Sequence, residues 1–182
     1  MRRWMIGTTV ALIAGAPALA ALPTGAKAPP FEAPAYQAGK PFQFKLAEAL
    51  KDGPVVLYFF PAAHTKGCNI EAHEFADAMD KFKAQGATVI GVTGGHVDEL
   101  ATFSSETAYC SGKFPVAADP TLSVSKSYDA IVSFGPAKFA NRTSYVIAPD
   151  GEVLFSYTNL APEQHISLSL DALTKWRSAH PK

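Results

Sequence analysis

The chain has 182 residues, of which sixteen are Lys or Arg and sixteen are Asp or Glu, so its formal net charge is zero. This balance argues against nucleic acid or an acidic surface as the main partner. The length suits one domain with one sizeable core, and a composition that is 48% hydrophobic and 18% charged is ordinary for a globular protein.

The first twenty residues predict a secretory signal peptide that is not part of the fold. Arg2 and Arg3 supply a positive start and hint weakly at the twin-arginine route, residues 5–16 are mostly apolar, and residues 18–20 match the small-x-small cleavage pattern. We expect cleavage after Ala20. One alternative is that the protein is cytosolic and that this segment only resembles a leader. The other is a retained membrane anchor, which is disfavoured because the apolar stretch is shorter than the ~20 residues that span a bilayer.

Cleavage after Ala20 leaves 14 basic and 16 acidic residues, a net charge of −2. A cleavable leader predicts a periplasmic or secreted protein. Residues 21–182 then form the single mature domain.

Strand-like and helix-like segments alternate along the mature chain. Residues 21–40 are rich in Pro, Ala and Gly and predict an extended start with turns. The predicted strands cover 42–44, 55–60, 88–92, 115–118, 143–148 and 152–157, and the predicted helices cover 46–50, 68–83, 96–109, 119–128 and 162–179. The last two strands form a hairpin around Pro149-Asp150-Gly151. This order predicts an α/β fold with a central mixed sheet flanked by helices on both faces.

The most informative segment joins a buried strand to the first long helix. The apolar run 55–60 ends at Pro61, and Cys68 then falls in the first turn of the predicted helix, with Thr65 just outside it. The unpaired N–H groups and the dipole at a helix start favour an anion and can lower a cysteine pKa from about 8.5 to roughly 3.5–7.5. Cys68 is therefore a candidate nucleophile. The competing interpretations are a buried, inert cysteine and a threonine that only caps the helix.

The second cysteine, Cys110, leaves the redox role of the pair open. An even number of cysteines in an exported protein is compatible with a structural disulfide bond. The sequence contains no Cys-x-x-Cys pair, which weakens the hypothesis of a thioredoxin-type oxidoreductase. With two cysteines and five scattered histidines the sequence shows no convincing metal-ligand spacing, so we expect no metal and no cofactor.

Several motifs taken together resemble the peroxiredoxins, of the alkyl hydroperoxide reductase/thiol-specific antioxidant superfamily. The pattern Pro61-x-x-x-Thr65-x-x-Cys68 is similar to the active-site motif of that family. The wider resemblance is to the bacterioferritin-comigratory or Q-type branch, through residues 25–31, 39–42, 117–120 with Tyr128, and the arginine strand and hairpin at 142–151. The resemblance extends from about residue 22 to residue 175 and implies a thioredoxin fold.

The resemblance also implies a peroxidase chemistry that suits these residue types. Cys68 would attack one oxygen of a peroxide and become a sulfenic acid. Thr65 would donate a hydrogen bond to the peroxide or thiolate, and Arg142 would hold both with its charged fork. Pro61 would complete the catalytic set by shaping the loop and excluding water. Supporting roles would fall to Glu71, which orients the guanidinium, and to the backbone N–H of Gly67. The competing interpretations are that Arg142 is a surface residue of a strand, and that Glu71 is present only because the helix dipole favours a carboxylate in the first turn.

Three positions depart from the family pattern. Lys66 stands where this branch often has proline, His64 replaces an acidic residue, and His73 stands where many members carry a resolving cysteine. Cys110 is then the remaining candidate resolving cysteine. A disulfide bond needs Cα atoms within about 7 Å, so Cys68 and Cys110 on two different helices would require local unwinding. The alternative is a one-cysteine mechanism in which an outside thiol attacks the sulfenic acid.

The predicted function is that of a thiol-dependent peroxidase that reduces hydrogen peroxide and organic hydroperoxides. We expect a thioredoxin-like protein or a small thiol as its reductant, a monomer or weak dimer, no nucleic-acid partner and no stable membrane insertion. Two other classes stay open: a non-catalytic redox sensor that uses Cys68 as its signal, and an envelope thiol–disulfide exchange protein.

Overall fold

The computed structural model describes residues 21–181, so the predicted signal peptide lies outside the described residues. Within this range the strands are β1 (Glu32–Gln37), β2 (Lys40–Lys45), β3 (Val55–Phe59), β4 (Thr88–Thr93), β5 (Val116–Ala118), β6 (Ile131–Phe134), β7 (Ala137–Ala140), β8 (Thr143–Ile147) and β9 (Val153–Thr158). The α-helices are α1 (Leu46–Asp52), α2 (Lys66–Ala84), α3 (Leu100–Ser105), α4 (Ser123–Ser127) and α5 (His165–Ala179), with a 3₁₀ turn at Val97–Glu99 before α3.

The main sheet has seven strands in the order β2-β1-β5-β4-β3-β8-β9. The central strands β5, β4 and β3 run parallel to one another. The pairs β1–β2 and β8–β9 are antiparallel and lie at the two edges, and β6 and β7 form a separate hairpin. The predicted mixed sheet with helices on both faces is confirmed, and the architecture is a thioredoxin fold.

Alternate residues of β3 enter two different cores, because successive side chains of a strand point to opposite faces of the sheet. Val56 and Tyr58 pack in a core that includes residues of α2, α3 and α5. Leu57 and Phe59 pack in a second core that includes residues of α1. Every residue of β3 is therefore buried, which explains why its sequence is a continuous apolar run.

The register between β3 and β8 brings distant parts of the chain together. The two strands are antiparallel, and Phe59 at the end of β3 lies opposite Thr143 at the start of β8. Residue 142 is thereby placed beside the segment that leads from β3 into α2. This junction is where the sequence predicts the reactive cysteine.

Three helices are shorter than the sequence predicts, and the last of them, α5, begins at residue 165 and not at residue 162. The predicted helix 96–109 consists of the 3₁₀ turn and α3, after which residues 106–113 form hydrogen-bonded turns. The predicted helix 119–128 is reduced to α4. Here Asp119 accepts hydrogen bonds from the backbone N–H groups of Val124 (3.2 Å) and Ser125 (2.8 Å). Its carboxylate thus binds the free N–H groups at the start of α4, so the helix does not extend back to Asp119.

The sequence pattern does not predict β1 or the β6–β7 hairpin. In β1 the core-facing residues are the small Ala33 and Ala35, which give a weak hydrophobic alternation. In the hairpin half of the strand residues are exposed, Phe134 among them, and only Ala140 is buried, so the strands show no hydrophobic alternation. Among residues 21–181, no helix has both the length and the apolar character needed to cross a membrane.

Candidate active site

The loop between β3 and α2 places Cys68 at the start of a helix. Thr65 has an extended backbone (φ −97°, ψ 147°) and immediately precedes α2. Its carbonyl accepts the N–H of Asn69 at 2.8 Å, which closes the first turn around Cys68. Since the first N–H groups of a helix have no partner inside it, the Cys68 sulfur lies in the positive field of the helix start.

Hydrogen bonds to the segment after β4 fix the conformation of this loop. Thr93 Oγ1 donates to the carbonyl of Pro61 at 3.1 Å, and the N–H of Ala63 donates to the carbonyl of Gly95 at 3.4 Å. His96 Nδ1 donates to the Ala63 carbonyl at 2.9 Å. Pro61 therefore contributes a carbonyl anchor as well as the end of the strand.

Arg142 brings a guanidinium to the Cys68 sulfur. Its Nη2 lies 3.4 Å from Cys68 Sγ, and both side chains are almost completely buried. A Cβ atom at Gly67 would lie only 3.0 Å from Arg142 Nη2, so glycine at this position leaves room for the guanidinium. The β3–β8 register described above is what allows this approach.

Glu71, one helical turn after Cys68, holds Arg142 from another side. Arg142 Nη1 donates to Glu71 Oε2, and Arg142 Nε donates to the carbonyl of Leu160 at 2.8 Å. Burial raises the pKa of the Glu71 carboxyl to about 8, against the lowering influence of the guanidinium. Burial lowers the pKa of Arg142, but Glu71 and Cys68 together raise it by more, so the guanidinium stays positive beside the sulfur.

The Thr65 side chain serves the loop and does not cap the helix. Its hydroxyl donates to the carbonyl of Ala62 at 3.0 Å, and it makes no side-chain hydrogen bond to the N–H groups at the start of α2. The interpretation of Thr65 as a helix cap is therefore wrong. The hydroxyl instead closes a short turn next to the cysteine.

Cys110 lies apart from this cluster, in the turns after α3. It is fully buried in the same core as Cys68, and both cysteines are free thiols. Burial strongly raises the pKa of the Cys110 thiol. Tyr58 lies in this same core, and its pKa is raised first by burial and then by Cys110, Glu71 and Cys68, against a lowering by Arg142.

The structure brings three predicted residues together: Arg142 contacts both Cys68 and Glu71. The catalytic roles of these residues, and of Thr65, Pro61 and Gly67 around them, stay predictions. Among residues 21–181, no group of three or more His, Cys, Asp or Glu side chains is arranged to hold a metal ion.

Sequence analysis missed the residues behind Arg142. His165 is fully buried and lies between Ser144 Oγ (2.8 Å from Nδ1) and the carbonyl of Asn159 (2.9 Å from Nε2). In the sequence His165 is one of five scattered histidines, and only the folded chain shows what surrounds it.

Known proteins share this sequence pattern over most of the chain. The AhpC/TSA family matches residues 24–156. The chain is 32% identical over 150 residues to the chloroplastic peroxiredoxin Q of Sedum lineare. The matched region covers 82% of this chain and 76% of that protein. It is 35% identical over 125 residues to the chloroplastic peroxiredoxin Q of Oryza sativa subsp. japonica, covering 68% of this chain. The match spans only 55% of the length of the rice protein.

Solved structures give the same relationship. The crystal structure of peroxidoxin BcpB from Mycobacterium tuberculosis superposes with a TM-score of 0.72 at 30% identity, covering 84% of this chain and 96% of that one. A Xanthomonas campestris peroxiredoxin Q structure, with a TM-score of 0.64 at 23% identity, covers 78% of this chain and 89% of that one and supports the fold. The chain belongs to the AhpC/TSA family, in the Q-type or bacterioferritin-comigratory branch of the peroxiredoxins.

Proposed function

We propose that the protein is a thiol-dependent peroxidase that reduces hydrogen peroxide and organic hydroperoxides at Cys68. The observation that carries the proposal is the 3.4 Å contact between Arg142 Nη2 and Cys68 Sγ, with Glu71 bound to the same guanidinium. One sulfur atom thus combines a helix start with a fixed positive charge, both of which favour the thiolate. Membership of the peroxiredoxins supports the same activity.

In the first step the Cys68 thiolate attacks the terminal oxygen of the peroxide. A sulfur–oxygen bond forms, the O–O bond breaks, and the leaving hydroxide or alkoxide takes up a proton to become water or alcohol. The sulfur loses two electrons and becomes a sulfenic acid, and the peroxide is reduced. Arg142 stabilises the negative charge as it moves from sulfur to the leaving oxygen, together with the N–H groups at the start of α2.

In the second step Cys110 resolves the sulfenic acid. The Cys110 sulfur attacks the Cys68 sulfur, a disulfide bond forms, and the hydroxyl group leaves as water. Because Cys110 is fully buried and its pKa is raised by that burial, the turns at residues 106–113 must open before attack. A thioredoxin-like protein then reduces the disulfide with its own dithiol.

The burial of Cys110 also favours a second candidate route. If the turns stay closed, an external thiol attacks the Cys68 sulfenic acid and a second thiol equivalent releases the enzyme. The two routes share the first step and differ only in the thiol that completes the cycle.

Peroxide consumption by wild type, Cys68→Ser and Cys110→Ser tests the proposal. We expect no turnover in Cys68→Ser, and in Cys110→Ser a normal first reaction without recycling by a thioredoxin-like reductant. Mass spectrometry after one equivalent of peroxide should show a Cys68–Cys110 linked peptide in wild type. If the products are sulfenic acid or mixed disulfides alone, without the linked peptide, the one-cysteine route is established. Full peroxidase activity in Cys68→Ser would refute the proposed peroxidase function.

The same variants separate the peroxidase from the two other classes. A redox sensor would be oxidised once by peroxide without rapid turnover, and a thiol–disulfide exchange protein would reduce insulin disulfides. We expect rapid turnover and no insulin reduction.

We also propose that the protein acts in the cell envelope. The support is the leader-like pattern of residues 1–20. Intact-mass analysis of protein recovered from the envelope fraction should give a chain that begins at Ala21. A chain that keeps Met1 in the cytosol would contradict this location.

A further inference from the structure

Behind the Arg142–Glu71 pair lies a buried imidazole with a defined protonation state. His165 is the first residue of α5, and its side chain is fully buried. Its Nε2 lies 2.9 Å from the carbonyl oxygen of Asn159, which can only accept, so Nε2 carries the proton. Its Nδ1 therefore accepts the hydroxyl proton of Ser144 at 2.8 Å.

This imidazole contacts the peptide segment that binds Arg142. The carbonyl of Leu160 accepts Arg142 Nε at 2.8 Å, and the N–H of Asn159 donates to the Arg142 carbonyl at 3.2 Å. His165 binds the same segment from behind, through the Asn159 carbonyl. Residues 159–160 are thus held between Arg142 on one side and His165 on the other.

His165 also lies beside the second partner of the guanidinium. Its Nδ1 is 3.8 Å from Glu71 Oε1, a buried oxygen without a hydrogen-bond partner among the described residues. The other charged or titratable groups that face the ring are Arg142, Tyr157 of β9 at 4.8 Å between ring centroids, and Glu163 just before α5.

The surroundings keep the imidazole neutral. Burial lowers the pKa of His165 to about 4, with a further lowering by Arg142, and these outweigh the raising effects of the Asn159 carbonyl and Glu163. A neutral ring places no second cation beside Glu71, so it does not compete with Arg142 for that carboxylate.

We propose that His165 is a positioning residue for the reactive site: by holding the 159–160 segment it fixes Arg142 over the Cys68 sulfur. The Asn159 carbonyl fixes the tautomer, and Ser144 supports His165 by fixing the orientation of the ring. The inference deepens the proposed peroxidase function and rests on it for its kinetic readout, whereas its effect on Cys68 ionisation is independent of any turnover.

Two substitutions separate the two hydrogen bonds of the ring. In His165→Gln the amide nitrogen occupies the region of Nε2 and restores the donor to the Asn159 carbonyl. In His165→Asn the shorter amide reaches Ser144 but leaves the Asn159 carbonyl without its donor. His73→Gln and His73→Asn, on the exposed face of α2, are the matched controls.

The measurement is the thiolate absorbance at 240 nm against pH in full-length protein carrying Cys110→Ser, followed by the rate of peroxide reaction at pH 7. We expect the His165→Asn titration midpoint to rise by about one pH unit and its reaction rate to fall about tenfold. His165→Gln should return both values to within about twofold of the parent. The His73 variants should match the parent.

A His165→Asn variant that melts earlier but keeps the Cys68 titration and the reaction rate would overturn the inference. If His165→Asn does not fold, Ser144→Ala replaces it, with an expected two- to threefold change in the same direction, and an unchanged titration there overturns the inference too. If the parent titrates normally but consumes no peroxide, the proposed function fails, while the titration shift still decides the role of His165.

Discussion

Arg142 and Cys68 are 74 positions apart in the sequence, yet Arg142 Nη2 lies 3.4 Å from Cys68 Sγ. Each nitrogen of the guanidinium group has its own partner: Nη2 contacts the sulfur, Nη1 binds Glu71 and Nε binds the Leu160 carbonyl. The group cannot rotate without losing at least two of these contacts. The positive charge is therefore fixed in position before any substrate arrives, which is the condition under which electrostatic stabilisation is most effective.

Replacing Arg142 with lysine should separate the role of the planar guanidinium, which binds several partners at once, from the role of the positive charge. An ammonium group is a compact donor and cannot bind Cys68, Glu71 and the Leu160 carbonyl in the same fixed geometry. We expect kcat/KM for hydrogen peroxide to fall about a hundredfold, equivalent to about 2.7 kcal/mol. Stopped-flow measurement of the first peroxide reaction provides the test.

Arg177→Lys is the matched control for this change. Arg177 lies in the last turn of α5, where it binds the carbonyl of Gln85 and stacks on Trp176. It makes no contact with the Cys68 cluster among the described residues. Its rate should stay within about twofold of wild type, and an Arg142→Lys rate that is equally close would contradict the prediction.

The buried histidine predicts a loss of stability in mild acid. Burial lowers the pKa of His165 to about 4 from an ordinary value of 6.5, so between these values the unfolded chain binds a proton that the native protein does not. Stability from this group is present above pH 6.5 and is lost as the pH falls towards 4. From pH 7 to pH 5 the expected loss is about 2 kcal/mol.

Urea unfolding of wild type and His165→Gln at pH 7 and pH 5 isolates this contribution. Glu71 acts in the opposite direction, because its pKa is raised to about 8 and native stability from it falls as the pH rises above 4.5. That contribution is present in both proteins and cancels in the comparison. We expect the acid loss to be about 2 kcal/mol smaller in His165→Gln, and equal pH dependence in the two proteins would argue against a neutral His165.

The core beneath the site should depend strongly on Phe75. This residue is fully buried and stacks on Tyr58 with ring centroids 4.4 Å apart, and it also contacts the rings of Phe82 and Phe114. Phe75→Ala removes a ring from the middle of this cluster and leaves a cavity. The expected cost is about 3–5 kcal/mol in the free energy of urea unfolding, with an unchanged m-value.

Phe134→Ala controls for loss of a ring that is not in the core. Phe134 is 55% exposed at the tip of the β6–β7 hairpin. Its substitution should change the free energy of unfolding by no more than about 0.5 kcal/mol. Similar costs at the two positions would show that the Phe75 ring is not part of a tightly packed core.

The sequence was sufficient for the main architecture because β3 and α2 carry strong patterns. The run Val55–Phe59 is continuously apolar and α2 spaces its buried residues along one face, so periodicity identifies both. By contrast, β1 relies on alanines, and β6 and β7 bury little, so burial cannot mark them. The short α4 depends on the Asp119 carboxylate, a tertiary detail that periodicity does not contain.

Site residues could be predicted only where they belong to a recognisable sequence motif. Cys68 and Thr65 lie in one short pattern, and Arg142 follows from the resemblance to the peroxiredoxins. The Leu160 carbonyl and His165 have no such pattern, because they reach Arg142 through a loop and a helix start that pack against β8. The competing interpretation of Thr65 as a side-chain cap fails because its hydroxyl binds the Ala62 carbonyl instead.

Packing between the loop that carries Cys68 and the segment that carries Cys110 predicts what limits the proposed disulfide bond. The His64 ring lies edge-on to Phe103 at 5.3 Å and to Tyr109 at 5.1 Å between ring centroids, and His64 Nε2 is 3.5 Å from Glu99 Oε2. Tyr109 immediately precedes Cys110, so the turns cannot open without breaking its contact with His64. Aromatic pairs of this kind contribute about 0.5–1.5 kcal/mol beyond area burial.

His64→Ala should therefore speed disulfide formation between about twofold and tenfold after a single equivalent of peroxide. The rate at which the Cys68–Cys110 bond appears is measured by mass spectrometry on samples that are quenched with acid and alkylated at successive times. His73→Ala, on the exposed part of α2, should leave the rate unchanged. Because His64 lies on the loop and does not contact Cys68 through any described hydrogen bond, the first peroxide reaction should change little. An unchanged or slower disulfide step in His64→Ala would mean that this contact does not hold the turns closed.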